Sequence, residues 1–453
     1  MKATSQPTHR RFRYRDSVAL RRDIARLELR IPWDDDTGVL LAPITVGSRV
    51  LPNRLAVHPM EAFDADAGGA PGEMALRRYR RYAWGGAGLI WFEATAVVAA
   101  GRSNPRQFYL HEGSVAEFEK LVAAVRQAAS ESWGMRHNPL LILQLTHSGR
   151  WSRPDGTPRP VIVHHSPSLD RLIGIDEHHQ PITDDELQVL QDRFIRAARH
   201  AAAAGFDGVD IKACHGYLCS ESLAAFTRGG RYGGSFENRS RLLLETLQRV
   251  RAEVPGLMVT SRFSAYDGLR YPYGFGVDRD DPDRPDLAEP AALLAQIRGA
   301  GCAIANVSMG IPYHRPYLGR PSDRAVPGDP QSPEHPLVGV ARLLEATATL
   351  QQAWPDFPLV GTGYSWLRHW FPHVGAAAVR TGGVAVVGVG RMAFAYPDFA
   401  RDLMEHGALD PHKTCVACSG CTQLMRAGDS TGCVIRDTDV YLLPGTNRRR
   451  RRA

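Results

Sequence analysis

Helix-forming and strand-forming segments alternate along most of this chain, and that alternation limits its fold more than any other feature. Thr183 and Glu186 form a capping-box pattern, and apolar residues then recur at helical spacing until Gly205. The short apolar segment Gly208 to Ile211 follows directly. The same order of helix and strand recurs twice more, at 242–254 before 257–264 and at 291–301 before 303–308. Repeated units of this kind predict a parallel α/β sheet, either a closed barrel or a doubly wound layer.

Glycines after the last two predicted strands favour the barrel. No G-x-G-x-x-G pattern opens a helix after an early strand, so the sequence does not indicate a dinucleotide-binding Rossmann half. Gly361, Gly363 and Gly390 instead lie where (β/α)8 barrels commonly bind phosphate. The length of 453 residues fits one such barrel with additions. We therefore expect an α/β fold, a (β/α)8 TIM barrel, followed by a C-terminal four-cysteine iron-sulfur segment.

The net charge of +7 does not by itself indicate a nucleic-acid-binding protein. Arg448 to Arg452 supply five positive charges in one terminal run, which is typical of a solvated tail. The first fifty residues lack an apolar core of signal-peptide length, and no run of about 18 apolar residues occurs. We expect a soluble, cytoplasmic protein that binds neither nucleic acid nor membrane. Its expected parts are an N-terminal arm (1–48), a barrel (49–405), a cysteine segment (406–440) and a basic tail (441–453).

Four of the seven cysteines are spaced as ligands of one inorganic centre. They form the pattern C-x2-C-x2-C-x11-C at Cys415, Cys418, Cys421 and Cys433. Three thiolates from one tight loop and a fourth that folds back suit a [4Fe-4S] cluster. A structural zinc site is an alternative on spacing alone, whereas disulfides are disfavoured in a reducing compartment.

Three side chains that can transfer protons follow the predicted strand at Gly208 to Ile211. They are Lys212, His215 and Tyr217. Such groups are costly to bury without partners, and they are common in the loops at the carboxyl ends of barrel strands. Local spacing also allows a plainer interpretation, a helix N-terminus that carries a histidine and a tyrosine by chance.

The segments HGYL (215–218) and RYGGSFENR (231–239) resemble the fourth-strand signature of the old yellow enzyme family, which are FMN-dependent (β/α)8 barrels. Seven further segments are similar to the other strands of that family, in chain order: LPNRLAVHPM (51–60), GGAGLIWFEATAV (85–97), QLTHSGR (144–150), RFS (262–264), NVSMG (306–310), LVGTG (359–363) and VGVGR (387–391). The resemblance covers roughly residues 51–399 and implies an FMN-binding barrel.

The resemblance implies flavin contacts at Pro59, Met60, Ala94, Gln144, Arg262, Gly363, Gly390 and Arg391. Gln144 would hydrogen-bond the flavin ring, and Arg262 would face its N1/O2 edge, where a cation favours the negative charge of reduced flavin. The last two glycines and the arginine after them match the family's phosphate grip.

The resemblance also implies roles in the chemistry. His215 and Tyr217 match the family's substrate histidine and proton-donating tyrosine. Reduction of an activated C=C bond needs hydride from flavin N5 at one carbon and a proton at the neighbouring carbon from the opposite face. His314, in the loop after the sixth strand, resembles a substrate-site histidine of the 2,4-dienoyl-CoA reductase branch.

Two positions depart from the family's pattern. Lys212 stands where simple ene-reductases usually have a histidine, and Glu61 stands where threonine or cysteine commonly contacts the flavin. The lysine could bind an anionic substrate or, if desolvated, act as a base. The carboxylate would disfavour anionic reduced flavin unless it were protonated or paired, and Lys212 is its candidate partner.

Iron-sulfur members of the family, such as 2,4-dienoyl-CoA reductase and trimethylamine dehydrogenase, carry a similar four-cysteine run after the barrel. The resemblance therefore implies an FMN- and [4Fe-4S]-dependent oxidoreductase that reduces an activated C=C bond of a small molecule. Larger relatives continue into nucleotide-binding domains. We expect electrons here from NAD(P)H at the FMN or, in preference, from a ferredoxin-like or flavoprotein partner at the cluster.

Two alternative functions stay open. One is oxidation of an amine or N-methyl compound with electrons leaving through the cluster. An aromatic bowl for a cation would favour it, and four aromatic residues lie near strand ends: Trp91, Tyr266, Tyr313 and Tyr364. The other is a zinc-bearing barrel with a binding or scaffold role. The substrate, the redox direction and the formation of a homo-oligomer are not determined by the sequence.

Overall fold

Eight parallel strands close into a barrel in the computed structural model, which describes residues 8–443 and 445. The strands of the described residues are β1 (Ile44–Val46), β2 (Arg49–Leu51), β3 (Leu55–Val57), β4 (Leu89–Ala96), β5 (Leu140–Thr146), β6 (Gly208–Ile211), β7 (Met258–Ser264), β8 (Ala305–Ser308), β9 (Leu359–Gly361) and β10 (Val386–Val389). Strands β3 to β10 pair in chain order, and β10 pairs with β3 to close the barrel. The predicted (β/α)8 fold is confirmed.

Helices connect the strands and continue after the barrel. They are α1 (Ser17–Arg26), α2 (Glu73–Trp84), α3 (Val115–Trp133), α4 (Pro167–Ile173), α5 (Asp184–Ala203), α6 (Leu218–Leu223), α7 (Phe236–Glu253), α8 (Ala288–Gly299), α9 (Pro336–Ala353), α10 (Phe371–Arg380), α11 (Arg391–Ala395), α12 (Phe399–His406) and α13 (Gly420–Arg426). Short 3-10 helices lie at Gly38–Leu41, Ala99–Gly101, Glu112–Ser114, Gly149–Trp151 and Tyr364–Trp370. None of the helices in the described ranges is long and apolar enough to cross a membrane.

The capping box predicted before α5 is present. The Glu186 backbone N–H donates to the Thr183 hydroxyl at 3.2 Å, and the Thr183 backbone N–H donates to the Glu186 carboxylate at 2.8 Å. The helix stops before Gly205, whose φ of 86° lies in the left-handed region that favours glycine. Strand β6 then begins three residues later, with all four of its residues buried. Local sequence signals therefore fix this helix and the start of the strand that carries the candidate site.

A hairpin fills one end of the barrel. Strands β1 and β2 pair antiparallel, and Val46 and Leu51 pack against interior residues of the barrel strands, including Trp91 and Ile142. These four side chains are at most 1% exposed. Because this end is filled by apolar side chains, space for a ligand remains at the carboxyl ends of the strands, as is usual for such barrels.

The cysteine-bearing segment packs against the carboxyl-end loops of the barrel. The Thr431 backbone N–H donates to the Ala62 carbonyl oxygen at 2.7 Å, which joins the segment to the loop after β3. Arg77 and Arg81 of α2 form ion pairs with Asp437 at 2.7 and 2.9 Å. The segment is thereby held beside the mouth of the barrel. The arginine run at 448–452, expected to be a solvated tail, lies outside the described residues.

Candidate active site

A cavity opens at the carboxyl ends of the barrel strands. It encloses about 1170 Å³ of empty space, including its open mouth. Its wall contains most of the residues that the sequence nominated: Pro59, Met60, Glu61, Lys212, His215, Tyr217, Arg262, Gly363, Gly390 and Arg391. These residues lie within or directly after β3, β6, β7, β9 and β10. The fold therefore brings residues from five strands to one site.

Three nominated residues do not line this cavity. Ala94 in β4 is buried, and its carbonyl oxygen accepts a hydrogen bond from the Gln107 amide at 3.0 Å. Gln144 in β5 is also buried, and its Nε2 donates to Asp210 Oδ2 at 2.6 Å. His314 is partly buried in the loop after β8. The carboxyl group of Asp210 thus holds the glutamine amide nitrogen inside the barrel wall.

The Glu61 carboxylate is the centre of a hydrogen-bond network. Lys212 Nζ donates to Glu61 Oε1 at 3.0 Å, and the Tyr217 hydroxyl donates to the same oxygen at 2.9 Å. Ser103 Oγ donates to Glu61 Oε2 at 3.0 Å. The suggested pairing of Glu61 with Lys212 is confirmed as a contact. The tyrosine and the serine are additional members that the sequence did not place there.

The Lys212 side chain is buried and contacts two members of this network. It is only 3% exposed, and Nζ lies 3.4 Å from the centre of the Tyr217 ring, a cation–π geometry. The ammonium group therefore contacts a carboxylate and an aromatic face. Because Lys212 also lines the cavity, its suggested binding of an anionic substrate stays a prediction. Burial first, and then the Glu61 charge, raise the pKa of Tyr217 well above 10. The phenol is neutral at physiological pH and retains a proton that it can donate.

Tyr313 is the one ring of the suggested aromatic bowl that lines the cavity. It stacks on Trp151 with ring centroids 4.2 Å apart, and burial raises its pKa to about 12. Trp91 donates instead to Asp210 at 2.8 Å, and Tyr266 donates to a backbone carbonyl. Tyr364 is buried and does not line the cavity either. The four rings do not form a cage for a cation.

His215 is held as a neutral imidazole. Its φ of 68° is uncommon for a residue other than glycine, and the turn brings Nε2 to within 3.0 Å of Ser308 Oγ. Burial first, and then the positive charge of Arg262, lower the pKa of His215 well below 6.5. A neutral imidazole that lines the cavity can hydrogen-bond a substrate oxygen without becoming charged.

Three arginines in the cavity wall carry buried nitrogens without hydrogen-bond partners: Arg262 Nε, Arg320 Nε and Arg391 Nη1. Within the described ranges none of the three forms an ion pair with a carboxylate. Burial, with a contribution from the charge of Arg391, lowers the pKa of Arg320 to about 10. Buried donors without partners are destabilising, so this arrangement fits an anionic ligand that supplies the missing acceptors.

The four cysteines surround a second, smaller cavity. Cys415, Cys418, Cys421 and Cys433 all line it, and it shares Cys421, Arg391 and Phe394 with the larger cavity. Backbone N–H groups donate to the sulfurs of Cys415 and Cys433 at 3.4 and 3.3 Å. Across residues 8–443 and 445, no group of three or more His, Cys, Asp or Glu side chains is arranged to hold a single metal ion. The four thiols border a shared space that directly adjoins the first cavity.

Sequence reasoning missed several residues of the site. His58 and Ser308 line the cavity. Both lie inside the motifs LPNRLAVHPM and NVSMG, so the sequence could have identified them from their positions in these motifs. Ser103 and Arg320 lie in loops without periodicity. Only the folded chain brings these two to the site, and no local pattern marks their positions.

The fold and the cavity together define a flavin-dependent oxidoreductase, and comparison with known proteins identifies the family. Residues 39–275 match the model of the NADH:flavin oxidoreductase / NADH oxidase family, so the chain belongs to that family. FMN is the cofactor of the family. The unpartnered arginine donors of the cavity fit a group that carries a phosphate and an electron-accepting ring.

Two curated relatives and one solved structure illustrate the similarity. The chain is 30% identical over 290 residues to an NADH:flavin oxidoreductase of Gibberella zeae, a match that covers 60% of this chain and 67% of that protein. It is 30% identical over 294 residues to the N,N-dimethylglycine/sarcosine dehydrogenase of Chromohalobacter salexigens, which covers 62% of this chain but 40% of that protein. It superposes on a 2-naphthoyl-CoA reductase in complex with 2-naphthoyl-CoA with a TM-score of 0.70 and 21% identity, which covers 88% of this chain and 57% of the other.

Proposed function

We propose that this protein reduces an activated C=C bond of a small organic substrate. The observation that carries the proposal is that His215 and Tyr217 line the same cavity, where burial lowers the pKa of the imidazole and raises that of the phenol. FMN, when bound there, supplies the hydride. The protein must then hold the carbonyl that activates the double bond and provide a proton, and these two side chains have the chemistry for both tasks.

The residues that would hold FMN are the three arginines and the glycines at the strand ends. Gly363 has a φ of 110°, and a Cβ at Gly390 would lie 2.8 Å from Met60 Sδ. Both glycines and Arg391 line the cavity after the last two barrel strands, which is where barrels of this kind commonly bind phosphate. Arg262 in β7 would face the electron-accepting end of the ring, where a cation favours the reduced state.

The four cysteines are proposed to bind a [4Fe-4S] cluster. Support comes from the spacing of the four cysteines, from their common cavity and from the N–H···S hydrogen bonds. Because Cys421 borders both cavities, a cluster there would adjoin the flavin. We propose that it exchanges electrons with a ferredoxin-like or flavoprotein partner, with NAD(P)H as the other candidate donor to the flavin.

The lining of the cavity favours reduction over oxidation of a cationic amine. One of the relatives is a dehydrogenase of methylated amines, so that direction needs an explicit test. The cavity wall holds Lys212 and three arginines, and its carboxylate Glu61 is already paired. The wall of this cavity offers a protonated amine no unpaired carboxylate and no cage formed by the four suggested rings.

The direction is tested by stopped-flow absorption with the FMN-loaded protein under anaerobic conditions. Dithionite-reduced protein is mixed with 2-cyclohexen-1-one, and oxidised protein is mixed separately with sarcosine. We expect the enone to reoxidise the flavin and sarcosine to leave it oxidised. Flavin reduction by sarcosine without reoxidation by the enone would replace the proposed function with the dehydrogenase alternative.

A further inference from the structure

The proton of Tyr217 is directed at a carboxylate. The hydroxyl donates to Glu61 Oε1, and the same oxygen accepts a hydrogen bond from Lys212. Both Glu61 and Tyr217 line the cavity, so this contact lies where a substrate would bind.

The carboxylate makes proton loss from Tyr217 costly. If the phenol gave its proton to a substrate carbon, a phenolate would remain 2.9 Å from the ionised carboxylate, with one ammonium group to offset two negative charges. Like charges at this distance strongly disfavour ionisation. The cost disappears if Glu61 carries a proton that moves to the phenol oxygen as the original proton leaves.

We infer that Glu61 is the proton carrier for Tyr217, an inference that rests on the proposed function. In the step, the O–H bond of the Glu61 carboxylic acid breaks and a new O–H bond forms at the Tyr217 oxygen. The original Tyr217 O–H bond breaks, and a C–H bond forms at the substrate carbon next to the site of hydride addition. Glu61 is left ionised, in contact with Lys212 Nζ at 3.0 Å.

Ser103 provides the route by which Glu61 regains its proton. Its hydroxyl donates to Glu61 Oε2, the oxygen that faces away from the tyrosine bond. Ser103 is 7% exposed and lies between the partly exposed residues Arg102 and Asn104, at the edge of the site. Lys212 acts as a positioning residue, because it contacts Glu61 and the Tyr217 ring and stabilises the ionised carboxylate.

The test separates proton delivery from electron transfer. Reduced, FMN-loaded protein is mixed either with 2-cyclohexen-1-one, which needs a proton at carbon, or with ferricyanide, which takes electrons alone. The variants are Glu61→Gln and the charge-balanced Glu61→Gln/Lys212→Met. We expect both to slow oxidation by the enone on the order of 10²-fold and to leave oxidation by ferricyanide unchanged. Adding Tyr217→Phe to Glu61→Gln should give no further loss beyond that of Tyr217→Phe alone, because both act on one proton path.

Glu221→Gln is the matched control. Glu221 is a buried carboxylate paired with Arg150 close to Tyr217 in the chain, but it does not line the cavity. We expect it to keep the oxidation rate with the enone. A second readout is the dependence of the enone rate on the deuterium fraction of the solvent, which should be curved for the wild type, with two protons in motion, and linear for Glu61→Gln.

Three results would overturn the inference: an unchanged enone rate in the charge-balanced variant, equal losses with both acceptors, or a linear deuterium dependence in the wild type. A wild type that no enone reoxidises would instead contradict the proposed function. In that case infrared difference spectra of flavin reduction still decide the role of Glu61. A protonated-carboxyl band present in the wild type and missing in Glu61→Gln supports proton storage there, and its absence from the wild type contradicts it.

Discussion

The two ends of the barrel differ in how their buried groups are satisfied. At the end filled by the hairpin, apolar side chains such as Leu51 and Trp91 pack against one another, and the Trp91 indole N–H has a carboxylate acceptor. At the other end, Arg262, Arg320 and Arg391 each keep a buried nitrogen without a partner. Arg54 at the filled end also has a buried Nε without a partner, but the three arginines of the open end line one cavity that a ligand can enter. The filled end therefore serves stability, and the open end is built for ligands at some cost in stability.

The largest expected effect is the loss of iron and sulfide from the cysteine segment, which lies beside the open end. Protein made anaerobically should contain about four irons and four sulfides per chain, and Cys421→Ser should lose most of both while the barrel stays folded. Elemental analysis and circular dichroism measure the two outcomes. Cys302→Ser, which changes a buried cysteine of the barrel, is the control and should keep its iron. One equivalent of zinc and no iron would contradict the cluster.

At the filled end, Leu51→Ala should lower the free energy of unfolding by about 2–5 kcal/mol, because it leaves a cavity among the interior side chains. Chemical denaturation of the FMN-free protein measures it. The same variant should bind FMN as tightly as the wild type, since Leu51 lies at the opposite end from the ligand cavity. A loss of FMN affinity with unchanged stability would break the distinction between the two ends.

At the open end, Tyr217→Phe should affect the reaction strongly and stability less than Leu51→Ala does. It removes the proton donor, so oxidation of the reduced flavin by an enone should slow on the order of 10²-fold. The hydroxyl hydrogen-bonds the Glu61 carboxylate and Tyr313, so the free energy of unfolding should fall by about 1–3 kcal/mol, less than for Leu51→Ala. Stopped-flow absorption and denaturation measure the two quantities. An unchanged enone rate would remove Tyr217 from the chemistry.

The fold was more predictable from the sequence than the site, for physical reasons. Strand β6 and the helix before it follow from a capping box, helical spacing and a short apolar run, which are local signals. The pairing of Glu61 with Lys212 was also accessible, because both follow strands whose carboxyl ends must meet. Contacts between loops depend on the folded chain, so Ser103 and Arg320 could not be assigned in advance.

Gln144 shows a different limit of the sequence. Its motif resembles that of a flavin-binding glutamine, yet its amide nitrogen donates to Asp210. Burial raises the pKa of Asp210 to about 6, and three donors from different strands converge on that carboxyl group: Trp91, Gln144 and the backbone of Arg262. A motif specifies which residue stands at a position, whereas its contact with a neighbouring strand is defined only by the folded chain. The amide of Gln144 has a second N–H and an oxygen, so its flavin contact stays a prediction.

The smallest change in stability is expected for Arg320→Met. Its sign tests the comparison, because we expect a gain in stability and not a loss. Arg320 donates to the Thr422 hydroxyl but keeps Nε unpaired, and it lies in the field of Arg391. Arg320→Met removes a largely desolvated cation, so the FMN-free protein should gain up to about 1 kcal/mol of stability. The same change removes a charged donor from the ligand site, so FMN affinity should fall roughly 10-fold or more.

Arg426→Met is the matched control for Arg320→Met. Arg426 is an exposed arginine of α13 that pairs with Asp329 at 2.6 Å, so its loss should leave both quantities nearly unchanged. Thermal unfolding without FMN and fluorescence titration with FMN measure the two quantities. If Arg320→Met lowered stability and kept FMN affinity, the arginine would be a structural residue. The unpaired donors at the open end would then not be explained by ligand binding.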